Sequence, residues 1–124
     1  MKELLFNKKH ICVAVSKTKP VSAIKKIYDL GHRDFGENKV QELITKQEEM
    51  PKDIKWHMIG HLQSNKVKKV LPLTYLIHSV DSFKLIKTID KESKKLKIKS
   101  NILMQLNISG KKENMDSHMK MLSL

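Results

Sequence analysis

The sequence predicts an α/β fold built around a parallel sheet. Short apolar runs rich in β-branched residues alternate with longer segments of helical period, which is the pattern of repeated βα units. The length of 124 residues, with 40% apolar and 31% charged residues, fits one small globular domain. The period alone leaves two architectures open: a small open sheet, or the first half of an eight-unit barrel of about 250 residues.

The first βα unit has the clearest pattern in the chain. Residues 11–16, ICVAVS, form the first predicted strand. After Pro20, apolar residues repeat at helical spacing through residues 21–30 and predict a helix that ends at Gly31. Strand and helix are therefore joined by a short polar turn.

The second unit pairs a short strand with a longer amphipathic helix. Residues 32–35 form the strand, and residues 37–49, ENKVQELITKQEE, have the apolar spacing of a helix. Asn38 opens this segment and Gln41 follows three residues later, which predicts a capping box at the start of the helix.

The remaining elements continue the alternation. The predictions are a third strand at 55–59, a helix from an N-cap at Ser64 to Pro72, a fourth strand at 75–80, a helix at 81–96 and a fifth strand at 101–109. Residues 111–124 show no period, so we predict a poorly ordered or non-native tail there.

The charge balance raises the question of an anionic partner. The formal net charge is +12, yet Arg33 is the only arginine and the lysines are scattered over several segments. Because base readout depends strongly on bidentate arginine, we interpret the lysines as a solvated surface and expect no specific nucleic acid partner. A basic nucleic-acid-binding module stays as a lower-ranked alternative.

The cellular location is predicted from two features that the sequence lacks, a pair of cysteines and a long apolar segment. Cys12 is the single cysteine, which excludes an intramolecular disulfide and is typical of a buried thiol in a reducing compartment. No run of about 18 apolar residues occurs, so we predict no membrane partner. The cytoplasm is the expected location.

Lys17 is the strongest candidate for a reactive side chain. The two-residue period of a strand puts it on the same side as Val13 and Val15, on a face that a parallel sheet buries. Burial favours the neutral amine, which can attack an aldehyde to form a Schiff base. A structural interpretation stays open beside this one, in which the side chain extends to solvent at the strand end.

Other common sites lack support in the sequence. His57 and His61 are four residues apart, but a strand end and a turn separate them, so they lack the helical register that brings two histidines to one metal. We therefore predict no metal site. The glycine-rich signatures of nucleotide and dinucleotide binding and the serine-hydrolase signature do not occur either.

Several longer blocks carry a family resemblance. Taken in order, they resemble the YggS/PROSC family of pyridoxal 5′-phosphate homeostasis proteins, which is similar to the barrel domain of alanine racemases. The blocks are VAVSKTKP at 13–20, FGENKVQE at 35–42, WHMIGHLQSNK at 56–66, IHSVDS at 77–82 and LMQLNISGKKE at 103–113.

The resemblance implies a fold and a cofactor. It implies a partial (β/α)8 TIM-type barrel of the PLP-binding fold type III in residues 1–110, with the first five strands and four helices. It implies pyridoxal 5′-phosphate (PLP) as cofactor and partner, held as a Schiff base on Lys17, with Asn38 beside it and His78 and Ser79 lining the pocket. It further implies a role in PLP homeostasis without catalysis.

An enzyme stays open as an alternative. An alanine-racemase-like activity needs a second acid/base on the opposite face of the cofactor, usually a tyrosine. Tyr28 and Tyr75 lie in the first helix and at the start of a strand, at the wrong end of the sheet for that role. We therefore predict that the chain is not an enzyme.

The resemblance also implies an N-terminal fragment. The family's later strands, with the loops that hold the phosphate, have no counterpart after NISGKKE. Half a barrel leaves strand edges open, so we expect self-association through those edges and reduced cofactor affinity.

Overall fold

A six-stranded sheet with helices on one side forms the fold. The computed structural model describes residues 11–105 and 119–123. The strands are β1 (Ala14–Val15), β2 (Asp34–Glu37), β3 (Lys55–Met58), β4 (Leu76–Val80), β5 (Asn101–Gln105) and β6 (Met119–Ser123). The helices are α1 (Val21–Asp29), α2 (Val40–Glu49), α3 (Val67–Val70), preceded by a 3-10 turn at Ser64–Lys66, and α4 (Phe83–Leu96).

The strand order is that of a βα barrel. Strands β1 to β5 lie side by side in chain order, and each pairs with the next in parallel. A doubly wound open sheet would instead reverse its order at a switch point. The prediction of a partial barrel with five parallel strands and four helices is therefore confirmed.

One face of the sheet holds the apolar core. Alternate strand residues pack there against apolar residues of all four helices, because side chains alternate between the two faces of a strand. From the strands come Phe35, Trp56, Met58, Ile77 and Ile102, and from the helices Ile24, Leu43, Val67, Val70, Leu85 and Ile89, all buried. We call this the outer face, and the opposite face the inner face.

The inner face is open at the first strand. Val15 points there by the two-residue period and is 53% exposed. Cys12, predicted as a buried thiol, is only half-buried. The strand prediction at residues 11–16 shortens to β1, so this end of the sheet is held by few backbone hydrogen bonds.

Two of the predicted helix caps are wrong. Asn38 precedes α2, but the N-cap is Lys39 and no side chain caps the helix. Ser64 is the first residue of the 3-10 turn, not a capping residue. The capped helix is α4, where the Ser82 hydroxyl accepts a hydrogen bond from the Leu85 N–H at 3.2 Å.

The C-terminal segment contains a strand that the sequence pattern does not indicate. β6 pairs antiparallel with β5, from Asn101 opposite Ser123 to Gln105 opposite Met119. The prediction for residues 111–124, a poorly ordered or non-native tail, did not include this strand. Residues 106–118, including the predicted end of the fifth strand, lie outside the described residues.

The longest helix, α4, has 14 residues. Within residues 11–105 and 119–123, no helix is both long and apolar enough to span a bilayer.

The end of α4 allows a stability prediction. Lys97 follows α4 in the left-handed region, with φ 56° and ψ 41°. A side chain strains the backbone there, so Lys97→Gly should raise the free energy of unfolding by about 0.5 to 1 kcal/mol. Urea unfolding measures this. The control, Lys91→Gly on the exposed side of α4, should lower the same quantity by about 1 kcal/mol. Equal losses in the two variants would contradict the strain at Lys97.

Candidate functional site

The carboxyl ends of β1 to β4 form one polar rim, as expected for a parallel sheet with βα connections. Lys17 follows β1, Asn38 follows β2, Gly60 follows β3, and Asp81 follows β4. In βα barrels this rim is where ligands bind, so we take it as the candidate site.

Lys17 lies exposed at this rim, two residues beyond the end of β1. Of the two interpretations of this position, the exposed one agrees with the structure and the buried one does not. The reason is that the inner face, on which Val15 also lies, is open to solvent at β1. Lys17 is therefore accessible to a ligand that approaches the rim.

A buried ion pair lies directly beneath the Lys17 turn. Glu37 ends β2 on the outer face with no exposed surface, and the Lys46 ammonium of α2 lies 3.0 Å from both of its carboxylate oxygens. Lys46 also lies 3.0 Å from a carboxylate oxygen of Glu42. The Ser16 hydroxyl donates to Glu37. We call Ser16, Glu37, Glu42 and Lys46 the α2 charge cluster.

The two carboxylates of this cluster have opposite environments. Burial raises the pKa of Glu37, and hydrogen bonds from Ser16 and Lys46 oppose that rise. The hydrogen bond from Lys46, followed by that from the Thr18 N–H, lowers the pKa of Glu42. The sequence patterns do not indicate this cluster, because the predicted second strand ends at Phe35. Extending its period by two residues would have put Glu37 on the buried face with Phe35.

A second group of polar side chains, joined by hydrogen bonds, runs along the inner face. We call it the histidine chain. His57 Nε2 lies 2.9 Å from Asp34 Oδ1, and His57 Nδ1 lies 3.0 Å from His78 Nε2. Because the carboxylate can only accept, we assign the Nε2 proton of His57 to this bond. His57 then accepts at Nδ1 from the Nε2–H of His78. Three adjacent strands are thereby linked by side chains.

Burial favours the neutral form of both His57 and His78. Burial lowers the pKa of His57, although the hydrogen bond to Asp34 works in the opposite direction. Burial, together with the neighbouring His57, lowers the pKa of His78 to about 4. A protonated His78 would have to place its charge beside His57 on the partly covered inner face.

The rim is tightly packed between β2 and β3. A Cβ atom at Gly60 would overlap the carbonyl oxygen of Asn38 and lie 2.8 Å from the Asn38 Cα. Asn38 itself is half-buried. Gly60 therefore allows the two strand ends to approach, which fixes the backbone of Asn38.

The predicted site residues are thus partly brought together. Lys17 and Asn38 lie at the same rim, and His78 lies within β4 on the inner face. Ser79 also lies in β4, and its side chain is not among those described. Their roles toward a cofactor stay predictions. Asp34 and His57, which the sequence patterns do not indicate, join His78 to the neighbouring strands.

The described residues form no metal centre. No group of three or more His, Cys, Asp or Glu side chains in residues 11–105 and 119–123 could hold a metal ion. His57 is buried on the inner face, whereas His61 is exposed beyond the strand, so these two histidines do not form a common site.

The histidine chain predicts a pH dependence of stability. The pKa of His78 is lowered from its ordinary value of 6.5 to about 4, so the unfolded chain binds more protons than the folded chain between these values. Stability should therefore fall as the pH drops from 6.5 to 4, by about 2 kcal/mol for this residue after solvent screening is allowed for. Urea unfolding at several pH values in wild type and His78→Gln measures the difference.

The control for this experiment is the exposed His61. His61→Gln should leave the pH dependence of unfolding as in wild type, since this side chain lies outside the buried chain. A His78→Gln variant that loses stability between pH 6.5 and 4 as steeply as wild type would show that His78 is not the responsible group.

The close approach at Gly60 predicts a second effect on stability. Gly60→Ala should lower the free energy of unfolding by about 3 kcal/mol, because the new methyl group meets the Asn38 backbone, which is costly to displace. The matched control is Gly36→Ala, whose methyl group would meet only side chains, 3.0 Å from Val13 Cγ1 and 3.1 Å from Ile59 Cδ1. We expect a loss of only about 1 kcal/mol there. Thermal and urea unfolding measure both variants, and equal losses would rule out a special constraint at Gly60.

The chain is similar to several characterised sequences. A pyridoxal phosphate homeostasis protein of Schizosaccharomyces pombe is 40% identical over 102 residues, which cover 81% of this chain and 43% of the relative. One of Helicobacter pylori is 44% identical over 108 residues, covering 82% and 48%. The human protein of the same name is 41% identical over 108 residues, covering 79% and 39%. No protein-family model matches the chain.

Solved structures show the same likeness in three dimensions. PipY of Synechococcus elongatus PCC7942, solved without PLP, superposes with a TM-score of 0.73 at 42% identity and covers 77% of this chain and 46% of its own. PipY with PLP bound gives a TM-score of 0.65 at 46% identity, covering 68% and 41%. The chain spans less than half the length of the relatives it matches. In sequence and in fold, this chain is therefore similar to part of the pyridoxal phosphate homeostasis proteins.

Proposed function

We propose that this chain binds pyridoxal 5′-phosphate through a Schiff base on Lys17 and takes part in PLP homeostasis without catalysing a reaction. The observation that carries the proposal is the position of Lys17, exposed at the carboxyl end of β1 on the rim of a partial barrel. The likeness to PipY, a protein solved with PLP bound, supports the same ligand here.

The residues at the rim fit the aldehyde end of this cofactor. A primary amine that solvent can reach condenses with an aldehyde and releases water. Asn38 and His78 are half-buried and offer hydrogen-bonding groups on the same side of the sheet. They are the side chains that would orient the ring. The family resemblance assigns the aldehyde end of the cofactor to Lys17 and the phosphate to loops of later strands.

A role without catalysis is supported by the tyrosines. The Tyr28 hydroxyl donates to Asp53 at 2.6 Å, and Asp53 lies just before β3. Tyr75 directly precedes β4 and packs beneath Lys55, whose ammonium lies 5.0 Å from the ring centre. Both tyrosines are therefore at the amino end of the sheet, opposite the rim. The described part of the chain thus offers no tyrosine at the rim as the second acid/base that a racemase needs.

The partners and the location follow the same reasoning. We propose PLP as the ligand and self-association through the edges of the sheet, which β1 and β6 form. We propose a cytoplasmic site of action, because the single cysteine suits a reducing compartment.

The test of the function is to map the residue that binds the cofactor. The chain is mixed with PLP, the absorbance of the lysine linkage is recorded, borohydride is added and the modified residue is identified by peptide mass spectrometry. We expect the label mainly on Lys17, and loss of that label and of the absorbance band in Lys17→Ala. The control is Lys19→Ala, an exposed lysine of the same turn, which should keep both signals.

Two results would contradict the proposal. Label spread over the surface lysines with no preference for Lys17 would remove the cofactor site. Turnover of alanine between its enantiomers that depends on Lys17 would instead establish the racemase alternative and remove the role without catalysis.

A further inference from the structure

We propose that Lys46 and Glu42 of α2, held by Glu37, are positioning residues for Lys17. They hold the two peptide groups that flank Lys17, and thereby fix the direction in which its side chain leaves the rim. This inference rests on the proposed function, because the position of Lys17 matters only where Lys17 is the reacting amine.

The peptide group before Lys17 is held by Lys46. The Lys46 ammonium donates to the carbonyl oxygen of Ser16 at 2.6 Å, a contact that is buried. The amide of Ser16 donates to the carbonyl oxygen of Gly36 at 2.9 Å, so β2 holds the other side of the same residue. The last backbone atoms before Lys17 are therefore fixed to both β2 and α2.

The peptide group after Lys17 is held by Glu42. The Thr18 amide donates to Glu42 Oε2 at 2.9 Å. Thr18 has a φ of 60°, in the left-handed region that residues other than glycine rarely adopt. A non-glycine residue keeps such a conformation when its surroundings hold it there, and this hydrogen bond supplies one such contact.

The charge cluster is well suited to this role because it is rigid. The side chain of Lys46 is 8% exposed and that of Glu37 is fully buried, so neither is free to change rotamer. Glu42 lies on the same helix as Lys46, four residues earlier, and both contact the Lys17 turn. A buried ion pair is weak in net stabilisation, since desolvation offsets its attraction. The cluster matters here for geometry. It orients the Lys46 ammonium as a donor and the Glu42 carboxylate as an acceptor toward the two peptide groups beside Lys17.

A fixed backbone gives Lys17 an advantage over the other lysines. Many other lysines of this chain are also exposed, for example Lys25 and Lys26 on α1. Exposure alone therefore cannot select one amine for the aldehyde. A held backbone limits the volume that the amine samples, and misplacement of a reacting group by about 1 Å can reduce a rate by orders of magnitude.

The test uses a pair of substitutions at the least buried member of the cluster. The Glu42 side chain is 28% exposed, so its replacement does not leave a buried charge unpaired. Glu42→Ala removes the acceptor for the Thr18 amide, whereas Glu42→Gln keeps an oxygen that can accept from it. Glu48→Ala, an exposed position on the same helix, is the matched control for charge and helix propensity.

The measurement compares one lysine with another in the same molecule. Each variant is mixed briefly with PLP and reduced with borohydride, and the label on Lys17 is divided by the label on Lys25. Glu42→Ala should lower this ratio at least roughly fivefold, whereas Glu42→Gln should stay within about twofold of wild type. Glu48→Ala should match wild type. Because the ratio is internal, a general loss of stability, followed in parallel by thermal unfolding, does not produce this pattern.

The outcomes separate this inference from the proposed function. If wild type labels Lys17 and Glu42→Ala does so at the same ratio, the positioning role is overturned and the cofactor site stands. If Glu42→Gln loses the label as fully as Glu42→Ala, the charge and not the hydrogen bond matters, which also overturns the inference as stated. If wild type shows no preference for Lys17, the proposed function fails and the inference fails with it.

Discussion

The contact between the outer face of the sheet and the four helices is the constraint on which the rest of the structure depends. Each parallel strand must bury one set of alternate side chains against the helix that follows it, which fixes the register of neighbouring strands. The other set is thereby directed to the inner face. Polar groups on that face, such as Asp34, His57 and His78, are placed by the same alternation that buries Phe35 and Trp56.

The α2 charge cluster is an exception within this apolar layer, and it lies where the layer meets the rim. A pair such as Glu37 and Lys46 is costly to bury, and a purely apolar pair could supply equal or better stability. Its hydrogen bonds reach into the turn after β1, which apolar side chains could not hold. The outer face thus contributes more than stability: through this cluster it shapes the backbone beside the candidate site.

The sequence predicted the fold better than it predicted the site. Hydrophobic alternation indicated all five parallel strands, and the ordered motifs indicated a barrel in place of an open sheet. Asn38 does not cap α2, and its backbone lies against Gly60, a contact distant in sequence that no local pattern reveals. The exposure of Lys17 was one of two interpretations that the sequence left open, because burial of a strand face depends on what covers it. The histidine chain joins three strands, and no pattern along one segment reveals such pairing.

The antiparallel pairing of β6 with β5 has a kinetic consequence. In a closed barrel the edge of β5 receives the next parallel strand, but in this chain that edge is occupied over five consecutive residue pairs. A separate polypeptide that carried the later strands could complete the barrel only after β6 had left its place. Where release of β6 is slower than the pairing that follows it, this exchange is first order, and a higher concentration of the second polypeptide does not accelerate it.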